Sequence, residues 1–326
     1  MRRNKAIDFA GKRAKTRQTS VCRPGTIDAR RLFSLPTPSW SHAELQCASF
    51  RASTRPHPRR PRLSHYRRIA CLSTEAVETL YLLGAEDRIA GISGFTVYPP
   101  EARRDKPKIS GFSSGKLERI LAVEPDLVIA FSDMQAELAR ELIKAGLEVH
   151  VFNQRTLAGI LNMVSTLGAL VDRSAEAAAL SAKLAARIDE AREQAAPVSR
   201  RPGIYFEEWD EPLISGVGWV SELIVAAGGV DVFAETAHHA SASERIIADP
   251  AEVVRRAPDI VVGSWCGKKF RPESLAERAG WEGIPALQNG HVLEIKSADI
   301  LSPGPSAILR GLPQLQAAVA RWRAAQ

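Results

Sequence analysis

Residues Leu117–Ala130 read LERILAVEPDLVIA, and residues Pro250–Gly263 read PAEVVRRAPDIVVG. Each stretch combines a short amphipathic helix, a Pro-Asp turn and a β-branched strand. A chain that repeats this unit in both halves is predicted to form two similar α/β lobes. The cleft between two lobes is a favoured place for a ligand.

The alternation of strands and helices extends outward from both copies. In the first half, short apolar segments alternate with helical patterns from Ile69 to Leu170. In the second half the pattern restarts at Gly203 and closes with a helix after Gly304. Such alternation predicts mostly parallel sheets covered by helices on both faces. We therefore predict an α/β protein with two Rossmann-like lobes.

A long Ala-rich segment separates the two halves. Residues Asp172–Ala196 contain no Gly or Pro, carry apolar residues at helical spacing and are followed by Pro197. A helix of roughly 25 residues spans about 37 Å, the width of a small domain. We predict four parts in chain order, namely a basic arm at 1–66, a first lobe at 67–171, a linker helix at 172–197 and a second lobe at 198–326.

The basic charge of the chain is concentrated at its beginning. The 326 residues carry a formal net charge of +7, yet residues 1–68 hold 17 Lys and Arg against three acids. The remaining residues therefore have a net charge of −7. An acidic body repels a phosphate backbone, so we expect no binding to nucleic acid.

The basic arm is rich in Arg, Pro and Ser, as in Arg55–Arg62, which reads RPHPRRPR. This composition cannot bury enough apolar surface to fold, so the arm is predicted to be disordered. A secretory signal needs an apolar core after its basic start, and none is visible. One interpretation is that the true start lies downstream of the arm. If the start is real, the protein is expected to be cytoplasmic.

Two common enzyme motifs are missing and a third is incomplete. Neither GxxxxGK[ST] nor HExxH occurs in the sequence. Gly216–Ser221 reads GVGWVS, a dinucleotide-binding fingerprint in which Ser replaces the third glycine. A partial fingerprint alone is weak evidence, so we expect a binding protein and not an enzyme.

Several motifs together resemble one known family. They are Tyr98-Pro-Pro, the stretch Leu117–Ala130, Ile214-Ser-Gly and Ala226-Ala-Gly-Gly. Spread over roughly Arg67–Gln326, they resemble the periplasmic cobalamin-binding proteins of ABC importers, within the cobalamin and iron-siderophore class that has a helical linker. The resemblance implies a periplasmic location, a monomer and little hinge motion. It also implies that cobalamin is a transported ligand, not a catalytic cofactor, and is delivered to the ABC permease subunits.

The resemblance further implies that aromatic side chains at loop tips grip the flat corrin ring from both lobes. Aromatic rings bury a large area against such a macrocycle with few rotatable bonds. The positions that match this role are Phe95, Phe112, Phe131, Trp209, Trp219 and Trp265. Asp299 matches a loop that reaches the polar side chains of the ligand.

One surface acid in each lobe is implied to dock on arginines of the permease. Glu118 falls on the first-lobe position. In the second lobe the equivalent position, seven residues before Pro258, is Ala251, and the nearest acid is Glu252. One residue corresponds to about 100° of rotation on a helix, so docking through Glu252 is the weaker expectation.

The identity of the chelate remains open between cobalamin and an anionic ferric siderophore or haem. An acidic loop, which favours a neutral or cationic cobalamin, is formed by Glu207, Glu208, Asp210 and Glu211 around Trp209. Lys268 and Lys269 point the other way. Side-chain chemistry offers three weak candidates for contact with a bound metal, the imidazoles of His238 and His239 and the thiol of Cys266.

Overall fold

The computed structural model describes residues 65–196 and 200–326. The predicted basic arm therefore lies outside the described residues except for its last two. Of these, Tyr66 packs against the largest apolar core, and its hydroxyl contacts the Glu148 carboxylate. The first lobe thus includes Tyr66, one residue before the predicted boundary.

The first lobe is built on a five-stranded sheet in which all neighbouring strands are parallel. Its strands are β1 (Ile69–Cys71), β2 (Ile89–Ser93), β3 (Lys108–Ser110), β4 (Leu127–Phe131) and β5 (Val149–Phe152). Their order across the sheet is β3-β2-β1-β4-β5. Its helices are α1 (Thr74–Leu82), α2 (Pro100–Asp105), α3 (Leu117–Leu121), α4 (Ala136–Lys144) and α5 (Leu157–Leu170).

The linker is helix α6, which spans Ser174–Ala195, close to the predicted bounds. It buries an apolar stripe at helical spacing, formed by Ala177, Leu184, Ile188, Ala191 and Ala195. A Cβ on Gly168 of α5 would lie 2.3 Å from the Ala177 Cβ, so a glycine there lets α5 and α6 approach closely. No helix within the described ranges is both long and apolar enough to cross a membrane.

The second lobe has a mixed sheet. Its strands are β6 (Gly203–Asp210), β7 (Leu213–Ser215), β8 (Val230–Asp231), β9 (Ile260–Gly263) and β10 (Val292–Glu294). Strand β6 pairs parallel with β8 and β9 and antiparallel with β7, and β9 pairs parallel with β10. Its helices are α7 (Gly218–Ala226), α8 (Ala251–Arg256), α9 (Glu273–Ala276), α10 (Pro285–Gln288), α11 (Ser297–Ile300) and α12 (Leu312–Ala324), which follows a π-helical turn at Ala307–Gly311.

The repeated sequence stretch forms the same structure in both lobes. Helix α3 leads through a Pro-Asp turn into β4, and α8 leads through another into β9. In each turn the residue before the proline adopts a left-handed conformation, with φ of 43° at Glu124 and 44° at Ala257. The sequence prediction of two lobes with mostly parallel sheets is therefore confirmed.

The largest apolar core runs through both lobes and the linker. It includes Leu80 of the first lobe, Ile188 of α6 and Phe206 and Leu315 of the second lobe. Each sheet also packs its other face into a smaller outer core. The outer core of the first lobe contains Val128 and Leu142. The outer core of the second lobe contains Tyr205, Trp265, Phe270 and Trp281.

Candidate ligand-binding site

The strand order of each sheet marks where a ligand is expected. In the first sheet the order reverses between β1 and β4, and in the second it reverses between β6 and β9. Ligands of open α/β sheets bind beyond the carboxyl ends of the strands at such a point. Glu75 and Phe131 lie there in the first lobe, and Glu208 and Cys266 lie there in the second.

The predicted phenylalanines of the first lobe are close together in the structure. Phe95 and Phe112 are 51% and 45% exposed, and their rings meet edge to face with centroids 5.9 Å apart. Phe131, at the end of β4, is only 8% exposed. The Gln135 amide connects the backbones of Phe112 and Phe131. Its Nε2 donates to the Phe112 carbonyl at 2.6 Å, and its Oε1 accepts from the Phe131 N–H at 2.9 Å.

The predicted tryptophans of the second lobe have different surroundings. Trp219 is buried and its indole N–H donates to the Ile300 carbonyl at 2.9 Å. Trp265 is buried in the outer core, where its ring packs edge to face on Phe270. Trp209 packs against the same outer core. The structure thus places Trp219 and Trp265 in apolar cores and not at a cleft surface.

The predicted acidic loop is largely neutralised by basic side chains from other parts of the lobe. Arg278 forms two hydrogen bonds with the buried Glu207, at 2.6 and 2.9 Å. Glu208 pairs with Arg245 at 2.5 Å and Asp210 pairs with Lys268 at 2.5 Å. These partners are 37 to 71 residues away in sequence. The charge of this loop therefore does not favour cobalamin over anionic chelates, contrary to the sequence-based expectation.

Arg155 lies where the two lobes meet and is not among the site residues predicted from sequence. A Cβ on Gly218 of α7 would lie 2.5 Å from the Arg155 carbonyl oxygen, so the two backbones touch. Two residues on, the Leu157 N–H donates to the Glu222 carboxylate of α7 at 2.7 Å. The Arg155 guanidinium lies 5.1 Å above the Phe131 ring centre. Its position just after β5, at the carboxyl edge of the sheet, is the signal that could have identified it.

Charged groups of both lobes affect the pKa of the Arg155 guanidinium, and the nearest acid, Asp133, lies 3.5 Å away. Burial lowers the pKa of Arg155, and Arg245 of the second lobe lowers it further. Asp133, Glu208 and Glu75 act in the opposite direction. Arg245 is itself buried, and no local sequence signal distinguishes it from surface arginines.

Glu75, in the first turn of α1, is enclosed between the lobes. It is 4% exposed, and a Cβ on Gly304 of the second lobe would lie 2.5 Å from the Glu75 Cβ. The neighbouring Thr74 hydroxyl is 2.5 Å from that of Ser302. Burial raises the pKa of Glu75 to about 7.

Asp299, the predicted contact for polar arms of the ligand, joins the two lobes. One carboxylate oxygen accepts from the Tyr98 hydroxyl at 2.8 Å, and the other accepts from Gln314 Nε2 at 3.0 Å. The Arg310 guanidinium lies 4.0 Å above the Tyr98 ring centre. Both oxygens of Asp299 therefore already have partners within the protein.

Comparison with known proteins agrees with this architecture. Residues 69–298 match the model of a family described as periplasmic binding protein. The chain belongs to this family. A relative, the vitamin B12-binding protein of Vibrio campbellii, is 27% identical over 241 residues, which cover 72% of this chain and 83% of the relative.

Solved structures of periplasmic binding proteins share the fold. The periplasmic haem-binding protein from Roseiflexus superposes with a TM-score of 0.68 at 22% identity, covering 80% of this chain and 99% of that chain. The periplasmic vitamin B12 binding protein of Vibrio cholerae superposes with a TM-score of 0.64 at 21% identity, covering 79% and 98%. At this level of identity the likeness establishes the two-lobe fold.

The two acids predicted to dock on a permease differ between the lobes. Glu118 is exposed on α3, and no salt bridge engages it within the described residues. Glu252 on α8 accepts from Arg255 at 2.6 Å and from Arg256 at 2.8 Å. The charge of Glu252 is thus neutralised by its own helix, whereas that of Glu118 faces solvent.

The weak candidates for metal contact are not gathered into a metal site. The rings of His238 and His239 stack on each other with centroids 3.9 Å apart, and His239 Nδ1 is 3.7 Å from Glu244. Cys266 is a free, exposed cysteine. Nowhere in the described part of the chain do three or more His, Cys, Asp or Glu side chains form a group that could hold a metal ion.

Two enzyme-like motifs have structural explanations in this periplasmic binding protein. Gly218, the second glycine of the partial fingerprint, is required by the close approach to Arg155. Gly111–Gly115 reads GFSSG and matches the GxSxG pattern of serine hydrolases in its letters. This loop presents Phe112, and no hydrogen bond links Ser113 to a histidine in the regions that the structure describes.

Proposed function

We propose that this periplasmic binding protein captures cobalamin or a related corrinoid between its lobes and delivers it to the permease subunits of an ABC importer. The observation that carries the proposal is the exposed pair of rings at Phe95 and Phe112, tied through Gln135 to Phe131 at the end of β4. The named function of the Vibrio campbellii relative supports the choice of ligand.

The exposed ring pair fits a large flat ligand. Soluble proteins seldom leave neighbouring aromatic side chains half exposed unless the patch binds something. A corrin is a broad amphipathic macrocycle. Each phenyl ring that it covers is removed from water, which favours binding by about 25 cal/mol per Å² of apolar surface. Both rings project from loops that follow parallel strands, β2 for Phe95 and β3 for Phe112. The first lobe thus provides the aromatic surface, and the second lobe provides mainly polar groups.

Delivery to a permease is proposed to be asymmetric. Glu118 is available to an arginine of the permease, while Glu252 is already paired with Arg255 and Arg256. Exposed ion pairs contribute only about 0–1 kcal/mol each, so Glu118 would orient the docked protein more than hold it. The corrinoid is cargo in this proposal, and the protein acts as a periplasmic monomer.

A second candidate ligand is haem or a ferric siderophore. The specific observation in its favour is that Glu207, Glu208 and Asp210 are neutralised by basic partners, while the Arg155 guanidinium stands nearby. Anionic chelates are usually met by such cations. The haem-binding structure from Roseiflexus has the same fold.

Calorimetric titration of the full chain with cyanocobalamin tests the proposal. We expect saturable 1:1 binding with a dissociation constant of about 1 μM or lower, and weaker binding of haem and of a ferric hydroxamate. The double variant Phe95→Ala, Phe112→Ala should bind cyanocobalamin at least about tenfold more weakly, because two aromatic contacts are lost. Ile143→Ala, which truncates an exposed side chain on α4, is the matched control.

Either of two results would reject this proposal. If the folded protein does not bind cyanocobalamin but binds haem or the hydroxamate, the ligand is wrong and the fold-level function stands. If the Phe95→Ala, Phe112→Ala variant retains wild-type affinity, the ring pair does not hold the ligand.

A further inference from the structure

Three buried polar atoms at the junction of the lobes retain unused hydrogen-bonding capacity. They are Nε of Arg155, Nε of Arg245 and Oε1 of Glu75, each without a partner among the described residues. Buried polar atoms in folded proteins nearly always have hydrogen-bond partners, so such a set calls for an explanation. Two of the three atoms belong to side chains that are more than nine-tenths buried, those of Glu75 and Arg245.

The three side chains converge from distant parts of the sequence. Glu75 begins α1, Arg155 follows β5, and Arg245 ends a 3₁₀ turn at Ala242–Arg245. Backbone contacts bring the three side chains to one place. Gly304 lies against Glu75, and Gln154, next to Arg155, donates to the carbonyl of Pro303 at 2.8 Å. Arg245 donates to the Ser215 carbonyl, three residues before Gly218, which touches the Arg155 backbone. Glu75 and Arg155 belong to the first lobe and Arg245 to the second. A ligand between the lobes can therefore contact all three.

The charges around this volume are balanced. Arg245 is paired with Glu208 at 2.5 Å, and Arg155 lies 3.5 Å from Asp133. A ligand carboxylate would face Glu208 and Asp133, and a ligand ammonium would face the two guanidiniums. Either charged group meets a repulsive neighbour in a partly desolvated place. A neutral group that both donates and accepts hydrogen bonds meets no such repulsion.

A carboxamide is such a group, since its oxygen accepts and its NH₂ donates. We infer that Glu75, Arg155 and Arg245 form a subsite for a carboxamide arm of the ligand, with the amide oxygen on the guanidinium N–H groups and the amide NH₂ on Glu75. The inference rests on the proposed function and specifies it further. The rim of a corrin carries carboxamide arms, whereas haem carries carboxylates. The subsite would thus select a corrinoid over haem.

The test compares cyanocobalamin with its three monocarboxylates, in each of which one rim carboxamide is hydrolysed to a carboxylate. We expect the wild-type protein to bind at least one monocarboxylate about tenfold or more weakly than cyanocobalamin, because a site built on hydrogen bonds rejects a mismatched group. Arg155→Gln should weaken cyanocobalamin about tenfold and that monocarboxylate less than about threefold, so discrimination is lost.

Arg155→Lys and Arg192→Gln complete the experiment. Arg155→Lys keeps the charge but lacks the guanidinium donors, so it should also lose the discrimination between cyanocobalamin and the monocarboxylate. This variant tests the inference if Arg155→Gln does not fold. Arg192 is an exposed arginine of α6 paired with Asp189, and its change to Gln should leave all four affinities unchanged. Melting temperatures verify that each variant is folded.

The outcomes separate this inference from the proposed function. Equal binding of all four ligands by the wild-type protein would overturn the carboxamide subsite and leave corrinoid capture standing. Equal weakening of all four by Arg155→Gln would also overturn it, because Arg155 would then serve the fold or the ligand as a whole. A folded wild-type protein that binds no corrinoid would overturn both.

Discussion

Asp126 and Asp259 make equivalent hydrogen bonds in the two lobes. The Asp126 carboxylate accepts from the backbone N–H groups of Arg67 and Arg68 at 2.7 and 2.9 Å, and that of Asp259 accepts from the Gly203 N–H at 2.9 Å. Each aspartate N–H donates back, to the carbonyl of Arg68 or of Gly203. The Pro-Asp turn of the repeat thus ties one strand to the beginning of its neighbour in the same way in each lobe.

We expect Asp126→Ala and Asp259→Ala each to lower the free energy of unfolding by about 1 kcal/mol, since each removes charge-assisted hydrogen bonds at a strand start. The two sites lie in different lobes, so their effects should add to within about 0.5 kcal/mol. Urea denaturation measures both. Asp189→Ala on the exposed face of α6 serves as control and should change stability little. An unchanged midpoint in both variants would show that water replaces these contacts fully.

The buried carboxyl of Glu75 predicts a stability that depends on pH. Its pKa is about 7 in the folded protein against an ordinary 4.5, so between these values the folded state keeps a proton that the unfolded state releases. Stability should therefore fall as the pH rises from about 4.5 to 7, by up to about 3 kcal/mol at 1.36 kcal/mol per pKa unit.

Glu75→Gln removes this titration, and its stability relative to the wild-type protein should increase across the same interval. Melting temperatures of both proteins at pH 5 and pH 8 measure the effect. The raised pKa of Glu78 acts in the same direction in both proteins, so the difference between them isolates Glu75. A constant difference between pH 5 and pH 8 would contradict the prediction.

Glu78 on α1 fastens the first lobe to the second. Its carboxylate accepts from the Ser306 N–H at 2.9 Å, the Ser306 hydroxyl at 2.7 Å and Arg310 at 3.0 Å. We expect Glu78→Ala to lower the free energy of unfolding by about 2–3 kcal/mol, because the buried N–H and the cation lose their acceptor. Urea denaturation measures the loss, and Glu193→Ala, at an exposed position of α6, is the control.

If Glu78→Ala has the same urea midpoint as the wild-type protein, the contacts of Glu78 with the second lobe contribute nothing to the free energy of unfolding. Ser306→Ala is the complementary variant, since it removes the hydroxyl, which donates to Glu78 and accepts from Arg310, and leaves the other two bonds of Glu78 in place. It should cost about 1 kcal/mol.

Glu207 is a buried acid with partners from three parts of the second lobe. It accepts from the Tyr205 hydroxyl at 3.0 Å and the Trp265 N–H at 3.0 Å, besides its two bonds with Arg278. We expect Glu207→Ala to lower the free energy of unfolding by about 3–5 kcal/mol, since it leaves a guanidinium without its carboxylate. Glu211→Ala on the exposed side of the same hairpin should have little effect.

The emission of the tryptophans provides a second measurement of this change. Trp265 loses a hydrogen bond in Glu207→Ala, so a shift of the emission maximum is expected in the folded protein. Unchanged emission together with unchanged stability would show that Arg278 and Trp265 find other partners.

The repeat made the main architecture predictable from sequence. Helix, Pro-Asp turn and strand recur at Leu117–Ala130 and Pro250–Gly263, and the structure forms α3–β4 and α8–β9 there. The linker helix was predictable for a similar reason, because a long segment without Gly or Pro has few alternatives to a helix. Both are local patterns, and local patterns are what a sequence shows directly.

The short strands and the site depend on contacts that are distant in sequence. Strands β7 and β8 have three and two residues, too few for a periodic pattern to distinguish them from a loop. The neutralisation of Glu207 by Arg278 joins residues 71 positions apart. The alternation along β6 could have shown that Trp209 and Glu208 face opposite sides, but not which side faces the first lobe.

The apolar core shared by both lobes has a mechanical consequence. The core is continuous through both lobes and α6, so spreading the lobes would bring part of it into water, and that requires work at about 25 cal/mol per Å² of apolar surface. Two lobes that share one core are therefore expected to resist being separated. Under the proposed function, removal of a captured molecule by spreading the lobes requires that work, and the apolar core opposes the opening.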